Sequence, residues 1–304
     1  MNVVRHLAPQ DHIWLKMNKS FVFLSLVIFV ILSGCTKPGL GLISTIKTSQ
    51  FTSPDKPSTL PATLPAKHTL MVFAAASLTG AFQEIGKNFE MTNPGVSINF
   101  NFAGSQILRT QLEQGALADV FASADHKNMD LLITENLVAG NTYQDFATNQ
   151  LVVILPPGNP GDVQTLRDLA RPNLKVILAD ASVPAGNYAR QILSNMSKDP
   201  EFGADFSEKV LANVVSNETD VKQVVTKVEL GEADAGIVYT SDSIASPDLL
   251  TISIPDNFNV IASYPIASLT SAPEPQLATA FVAYVTSPAG QAVLIKWGFS
   301  PGSQ

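Results

Sequence analysis

Strand-like and helix-like stretches alternate along this chain from Thr69 almost to its end, and that alternation restricts the fold more than any other feature of the sequence. Residues 69–74 form a short apolar run, and residues 78–91 read as a helix that stops at Asn93-Pro94-Gly95. Val96, Ile98, Phe100 and Phe102 alternate with polar residues, the period-two pattern of a strand. A helix over 106–114, a strand over 119–122 and a helix over 127–135 complete a first series. A second series begins with the strand 151–155 and runs through a helix at 166–169 and a strand at 174–179. Helices at 185–196, 200–212 and 221–230 lead on to a strand at 235–238. Strand-like runs at 249–254 and 260–266 and helices at 276–285 and 289–297 close the chain. Such alternation predicts an α/β fold in which mixed, mostly parallel sheets are flanked by helices. Any ligand then lies beyond the carboxyl ends of strands, where helix N-termini converge.

Four of the turns into a helix are built from small or hydroxylated residues. They are Ala-Ala-Ala-Ser-Leu (Ala74 to Leu78), Ala-Gly-Ser-Gln (Ala103 to Gln106), Val-Pro-Ala-Gly-Asn-Tyr (Val183 to Tyr188) and Glu-Thr-Asp-Val (Glu218 to Val221). A helix N-terminus leaves backbone N–H groups without intrahelical partners and carries partial positive charge, so it suits an anion. Ser77 and Ser105 each add a hydroxyl to an amide; a Ser at this place is equally a common N-cap. Pro184 has no N–H, so Ala185 supplies the first free amide of its helix. Val221 has only its amide to give, and the neighbouring carboxylates of Glu218 and Asp220 are expected to point away. Arg109 and Arg190 lie a turn or more into their helices and are expected to face outward. Tyr239 ends an apolar strand; alone it reads as a half-buried core residue.

In order and separation these segments, together with Leu-Ala-Asp-Val-Phe-Ala-Ser-Ala-Asp (Leu117 to Asp125) and Ala-Gly-Ile-Val-Tyr-Thr-Ser-Asp (Ala235 to Asp242), resemble the molybdate-binding proteins of bacterial ABC importers. The resemblance spans residues 69–299. It implies a two-lobed periplasmic-binding-protein fold of type II, with the ligand in the cleft. Lobe 1 would hold residues 68–148 and 240–304 and lobe 2 residues 149–239, the chain crossing at 148–150 and again near Tyr239. It implies Ser77, Ser105, Ala185, Val221 and Tyr239 as the ligand-binding residues. Gly104 stands where several family members have a further serine, which removes one possible hydroxyl.

The N-terminus reads as a leader. Lys16 and Lys19 precede an apolar run over residues 21–32, short for a membrane span and of the length of a signal-peptide core. It ends in Leu32-Ser33-Gly34-Cys35, which resembles a lipoprotein cleavage box. Residues 1–34 are therefore expected to be removed and Cys35 to be lipidated, with translation starting at Met1 or Met17. Residues 35–67, rich in Pro, Ser and Thr, read as a flexible tether. Cys35 is the only cysteine, so no disulfide or cysteine-based metal site is possible.

The 304 residues are 45% hydrophobic and 15% charged, a globular composition. Three of the 19 basic and one of the 26 acidic residues precede Cys35, so the remainder carries 16 and 25, a net −9. Such an acidic chain is no nucleic-acid partner. Only His68 and His126 follow Cys35, and no His-x-x-x-His pair, Gly-x-Ser-x-Gly elbow or P-loop is present, so neither catalysis, a cofactor nor a metal cation site is expected. Asp119 and Asp125 flank a strand without an evident partner and are expected to be solvated.

The expectation is an extracytoplasmic, membrane-anchored, monomeric binding protein that hands molybdate, and tungstate with it, to an ABC permease. The neutral donor set fits a fully deprotonated oxyanion; phosphate, partly protonated at neutral pH, also needs an acceptor. Two alternatives stay open: the same fold tuned to sulfate or another tetrahedral oxyanion, and a lipid-anchored adhesion or scaffold module.

Overall fold

The computed structural model describes residues 67–302. The leader, the lipidation at Cys35 and all but the last residue of the tether lie outside the described residues. The first lobe begins β1 (His68–Ala75), α1 (Thr79–Thr92), β2 (Val96–Ala103), α2 (Ser105–Glu113), β3 (Val120–Ala122), α3 (His126–Thr134) and β4 (Gln144–Asn149). The second contains β5 (Leu151–Leu155), β6 (Val176–Ala179), α4 (Pro184–Met196), α5 (Phe206–Ala212) and β7 (Val214–Glu218). It continues through α6 (Val221–Glu229), β8 (Ala235–Tyr239), α7 (Thr240–Ala245) and β9 (Leu250–Ser253). The chain returns to the first lobe for β10 (Ala262–Ser268), α8 (Pro275–Thr286), α9 (Pro288–Lys296) and β11 (Ser300–Pro301).

The first sheet has the order β11-β4-β10-β3-β1-β2 and the second β7-β6-β8-β5-β9. Both are mixed. Parallel pairing holds at β1·β2, β1·β3, β6·β7 and β6·β8, while the five other pairings are antiparallel, so parallel pairs are concentrated in the strands that feed the site rather than being the majority. β1 and β2 pair from His68↔Val96 to Ala75↔Ala103. Ser77 and Ser105 therefore each stand two residues past the last pair, next to one another at the carboxyl edge.

The chain passes from the first sheet to the second between β4, which ends at Asn149, and β5, which starts at Leu151. It does not pass back at Tyr239. β9 pairs with β5 from Val152↔Ser253 to Leu155↔Leu250, so the chain leaves the second sheet only after Ser253, not at Tyr239. Local periodicity marks a strand without saying which sheet it joins. The short helix α7 turns the chain back to the free edge of β5, and residues 240–253 therefore belong to lobe 2.

Apolar faces decide the layers. Phe82, Ile85 and Phe89 of α1 are buried at helical spacing. The Phe82 and Phe89 rings meet Phe281 of α8 edge-on at 6.1 and 5.5 Å. Each such aromatic is worth about 3–5 kcal/mol against alanine. On the other face, Phe73 and Phe121 pack with Leu108 and Leu112 of α2 and Met129 and Leu132 of α3. In the second lobe α4 and α6 cover the sheet through Ile192, Leu193, Val224 and Val228, all buried.

Candidate functional site

The first turn of a helix always has N–H groups to satisfy, and three of the helix starts that no side chain caps converge on one place. The N-cap residues are Ala75 before the 3-10 turn Ala76–Leu78, Gly104 before α2 and Val183 before α4, and none can accept a hydrogen bond through its side chain. Other starts differ: Asp125 accepts from the Asn128 amide at 3.0 Å and Asp220 from the Gln223 amide at 3.1 Å, while α1, α5 and α8 also begin without a side-chain cap but away from this place. The three uncapped starts, with the first residue of α6, meet at one place. A small cavity is lined by Ala75, Ala76, Ser77, Gly104, Ser105, Ala124, Val183, Pro184, Ala185, Val221 and Tyr239.

The five residues singled out in the sequence are thus brought together, two from the first lobe and three from the second. All five are buried: Ser77 and Ser105 are 5% and 1% exposed, Ala185 1%, Val221 3% and Tyr239 1%. Sequence reasoning missed Ala75, Ala76, Ala124, Val183 and Pro184. The small and apolar side chains at these positions let the backbone come close; the signal was the Ala-Ala-Ala and Val-Pro-Ala runs themselves and, for Ala124, the Ala-Ser-Ala at the end of its strand. The cavity is about 10 Å³, room for roughly one water molecule. A tetrahedral oxyanion needs the lobes to part slightly.

Both serine hydroxyls have a partner within the protein. The Ala124 N–H donates to Ser105 Oγ at 3.0 Å. Ser77 Oγ lies 3.1 Å from the hydroxyl of Tyr264, a fully buried residue on β10. The buried Tyr239 hydroxyl has no hydrogen-bond partner among the described residues. Burial first, and nearby negative groups second, push the Tyr188 hydroxyl up, and burial likewise raises Tyr239 and Tyr264 well above the usual phenol range. All three stay protonated donors at neutral pH.

No cationic side chain lines the cavity. Arg109 donates to Asn128 Oδ1 at 3.1 Å and pairs with Glu113. Arg190 donates to the carbonyls of Ala179 and Gly186 at 2.9 and 2.8 Å, tying α4 to the end of β6. Lys222, next to Val221, sits 3.0 Å from the buried Asp242 carboxylate. The carboxylates point elsewhere, as expected: Glu218 takes Lys227 at 2.7 Å, and Asp220 caps α6. Asp119 and Asp125 are not solvated but 1% and 6% exposed. Asp119 accepts from the amides of Met71 and Glu274, both at 2.7 Å, so its role is to join β1 to the start of α8. Among the described residues no group of acidic, His or Cys side chains could hold a metal ion.

The lobes also touch directly beside the cavity. Gln106 Nε2 donates across to the Thr219 carbonyl at 2.9 Å. A Cβ on Gly104 would stand 2.6 Å from that same carbonyl oxygen. The glycine read as a lost hydroxyl is what allows this approach. Gly186 has a matching role within lobe 2, where a Cβ would lie 2.1 Å from the Asp180 carbonyl.

Residues 70–300 match the family described as bacterial extracellular solute-binding protein. The chain is 42% identical over 249 residues to the molybdate-binding protein ModA of Mycobacterium tuberculosis, covering 80% of this chain and 90% of that one. Among solved structures, the substrate-binding domain of a putative molybdenum ABC transporter from Clostridium difficile superposes with a TM-score of 0.58 at 29% identity, over 77% of this chain and 99% of the other. The sulfate-binding protein SubI of M. tuberculosis shares the fold, with a TM-score of 0.69 at 17% identity over 77% and 87% of the two chains.

Proposed function

The chain belongs to the bacterial extracellular solute-binding proteins, and from that premise we propose that it captures molybdate between its lobes and delivers it to an ABC permease. The observation that carries this reading is the convergence of three uncapped helix starts, the first residue of α6 and two serine hydroxyls on one cavity without a cation. Fixed amide dipoles and hydroxyls hold a dianion strongly enough to retain it, while the absence of a buried ion pair keeps release fast. The ligand shell in this reading is Ser77, Ser105, Ala185, Val221 and Tyr239. Ser77 and Ser105 give hydroxyl and amide, Ala185 and Val221 give amides, and Tyr239 gives its unpartnered phenol. Tungstate, with the same charge and shape, binds alongside molybdate.

Cargo identity rests on the relatives, because the fold also serves a sulfate-binding protein. An adhesion or scaffold role finds less support: large exposed apolar residues such as Met91, Leu117, Leu230 and Ile261 belong to separate stretches of the chain, Met91 on α1 and the others in connecting segments. In the same reading Cys35 carries the lipid anchor, residues 35–67 hold the domain off the membrane surface, and closure of the lobes as a monomer presents the permease with its docking face. Calorimetric titration with molybdate, tungstate, sulfate and phosphate tests the proposal. One molybdate per chain with far weaker sulfate and phosphate is expected; no heat from molybdate, or equal heat from sulfate, would overturn it.

A further inference from the structure

Tyr264 is outside the shell just described, yet its hydroxyl hydrogen-bonds to a member of that shell. Its ring is held on three sides, edge-on to Phe299 at 5.3 Å, to Tyr239 at 5.8 Å and to Phe146 at 6.3 Å. β10 is an interior strand of its sheet, and its register against β4 shifts between Tyr264 and Pro265. Such a bulge re-aims the side chain beside it, and Pro265 has no N–H to contribute to the ladder. The phenol is thereby fixed 3.1 Å from Ser77 Oγ with nowhere to swing.

Counting protons gives the bond its direction. The Tyr264 hydroxyl is 0% exposed and has a single proton to place. Leaving a buried O–H without an acceptor is unfavourable, and Ser77 Oγ is the acceptor it has. If Tyr264 donates, the Ser77 proton must go elsewhere, and the side open to it is the cavity. Ser105 is set in the same way by the Ala124 N–H. We propose that Tyr264 is a specificity-determining residue whose phenol donates to Ser77 Oγ and so fixes the Ser77 hydroxyl as a donor toward the bound anion. An anion oxygen that carries a proton, as one does in hydrogen phosphate, would then find no acceptor at Ser77. The site then favours oxyanions that carry no proton, and the hydroxyl-to-hydroxyl chain strengthens the final bond to the ligand.

This inference rests on the oxyanion reading of the cavity. Its test is a double-mutant cycle of Tyr264→Phe, Ser77→Ala and both together, read by calorimetry with molybdate and with sulfate. Phe keeps the ring packing. Tyr264→Phe should weaken molybdate binding about tenfold when Ser77 is present, and less than about twofold in the Ser77→Ala background. Equal losses in both backgrounds would show that Tyr264 acts through packing alone and would overturn the proposal, as would no loss in either. If the wild type binds sulfate but not molybdate, the cargo assignment fails and the cycle is read on sulfate. If neither anion binds, both readings fall.

Discussion

Replacing Gly104 by alanine separates lobe closure from folding. The new Cβ would lie 2.6 Å from the Thr219 carbonyl oxygen, where ordinary contact begins at 3.4 Å. It would also lie 2.5 and 2.6 Å from the Gln106 side-chain amide atoms, but that side chain is free to move aside. The Thr219 carbonyl is backbone on the opposite lobe, so relief requires the lobes to stay about 0.8 Å further apart at this point. Overpacking of this kind costs about 1–3 kcal/mol, or roughly 5- to 150-fold in the dissociation constant. Gly104 itself has φ −59° and ψ 138°, which alanine adopts without strain. The substitution also removes conformational freedom from the unfolded chain, a gain of about 0.4–1 kcal/mol. Ligand-free protein should therefore melt at or slightly above the wild-type temperature, while molybdate affinity falls. Melting curves with and without ligand, beside a calorimetric titration, read both quantities. A Gly104→Ala protein that binds molybdate within twofold of wild type would refute the close approach of Thr219 in the bound state.

Gln106→Ala should speed ligand release severalfold with little change in association, because its hydrogen bond to Thr219 forms only when the lobes meet; stopped-flow dissociation measures this. Ser77→Ala and Ser105→Ala each remove a hydroxyl and keep the amide, and each should cost about 1.5–3 kcal/mol of affinity, whereas Ala185→Asp should do more damage by setting like charge against the ligand. Affinity should be flat from about pH 6.5 to 8.5, since the tyrosines nearest the cavity are shifted upward, away from that window; a tenfold change centred near pH 7 would contradict the neutral-donor shell. Folding stability has a different pH signature. The folded-state values of Tyr239 and Tyr264 lie above the unfolded value near 10, so their protonated forms are favoured in the fold and stability is complete below about pH 10. Above it the unfolded chain alone ionises, and each tyrosine removes about 1.4 kcal/mol per pH unit, which urea unfolding at pH 9 to 11 detects.

The site was legible in the sequence to the extent that it is made of local patterns. A strand followed by a small-residue helix start is visible in a few letters at Ser77, Ser105 and Ala185, and Val221 is marked instead by the Glu-Thr-Asp that precedes its helix. What the sequence hides is pairing at a distance. Tyr264 lies in Ala-Ser-Tyr-Pro-Ile and reads as core; its hydroxyl partner is 187 residues earlier. β9 is a mostly exposed edge strand, and nothing in Leu-Thr-Ile-Ser says which sheet it completes. β7, Val-Val-Ser-Asn-Glu, is also at an edge, and its polar half conceals a strand that aims α6 at the cavity. Asp119 looks solvated until the amides of Met71 and Glu274 are seen to close on it. Gly104 is the reverse case: in sequence it is a missing hydroxyl, in structure the gap that admits the other lobe.

The most direct test of the central claim, a dianion held by neutral donors from both lobes, is crystallographic. Crystals grown with molybdate and measured at the molybdenum absorption edge locate the metal atom without prior assumption. The expected result is one strong anomalous peak per chain inside the cavity, with oxygens within hydrogen-bond distance of the Ser77 and Ser105 hydroxyls and of the Ala185 and Val221 amides, and no Lys or Arg nitrogen among the contacts. A peak elsewhere, or one contacted by a cationic side chain, would contradict it.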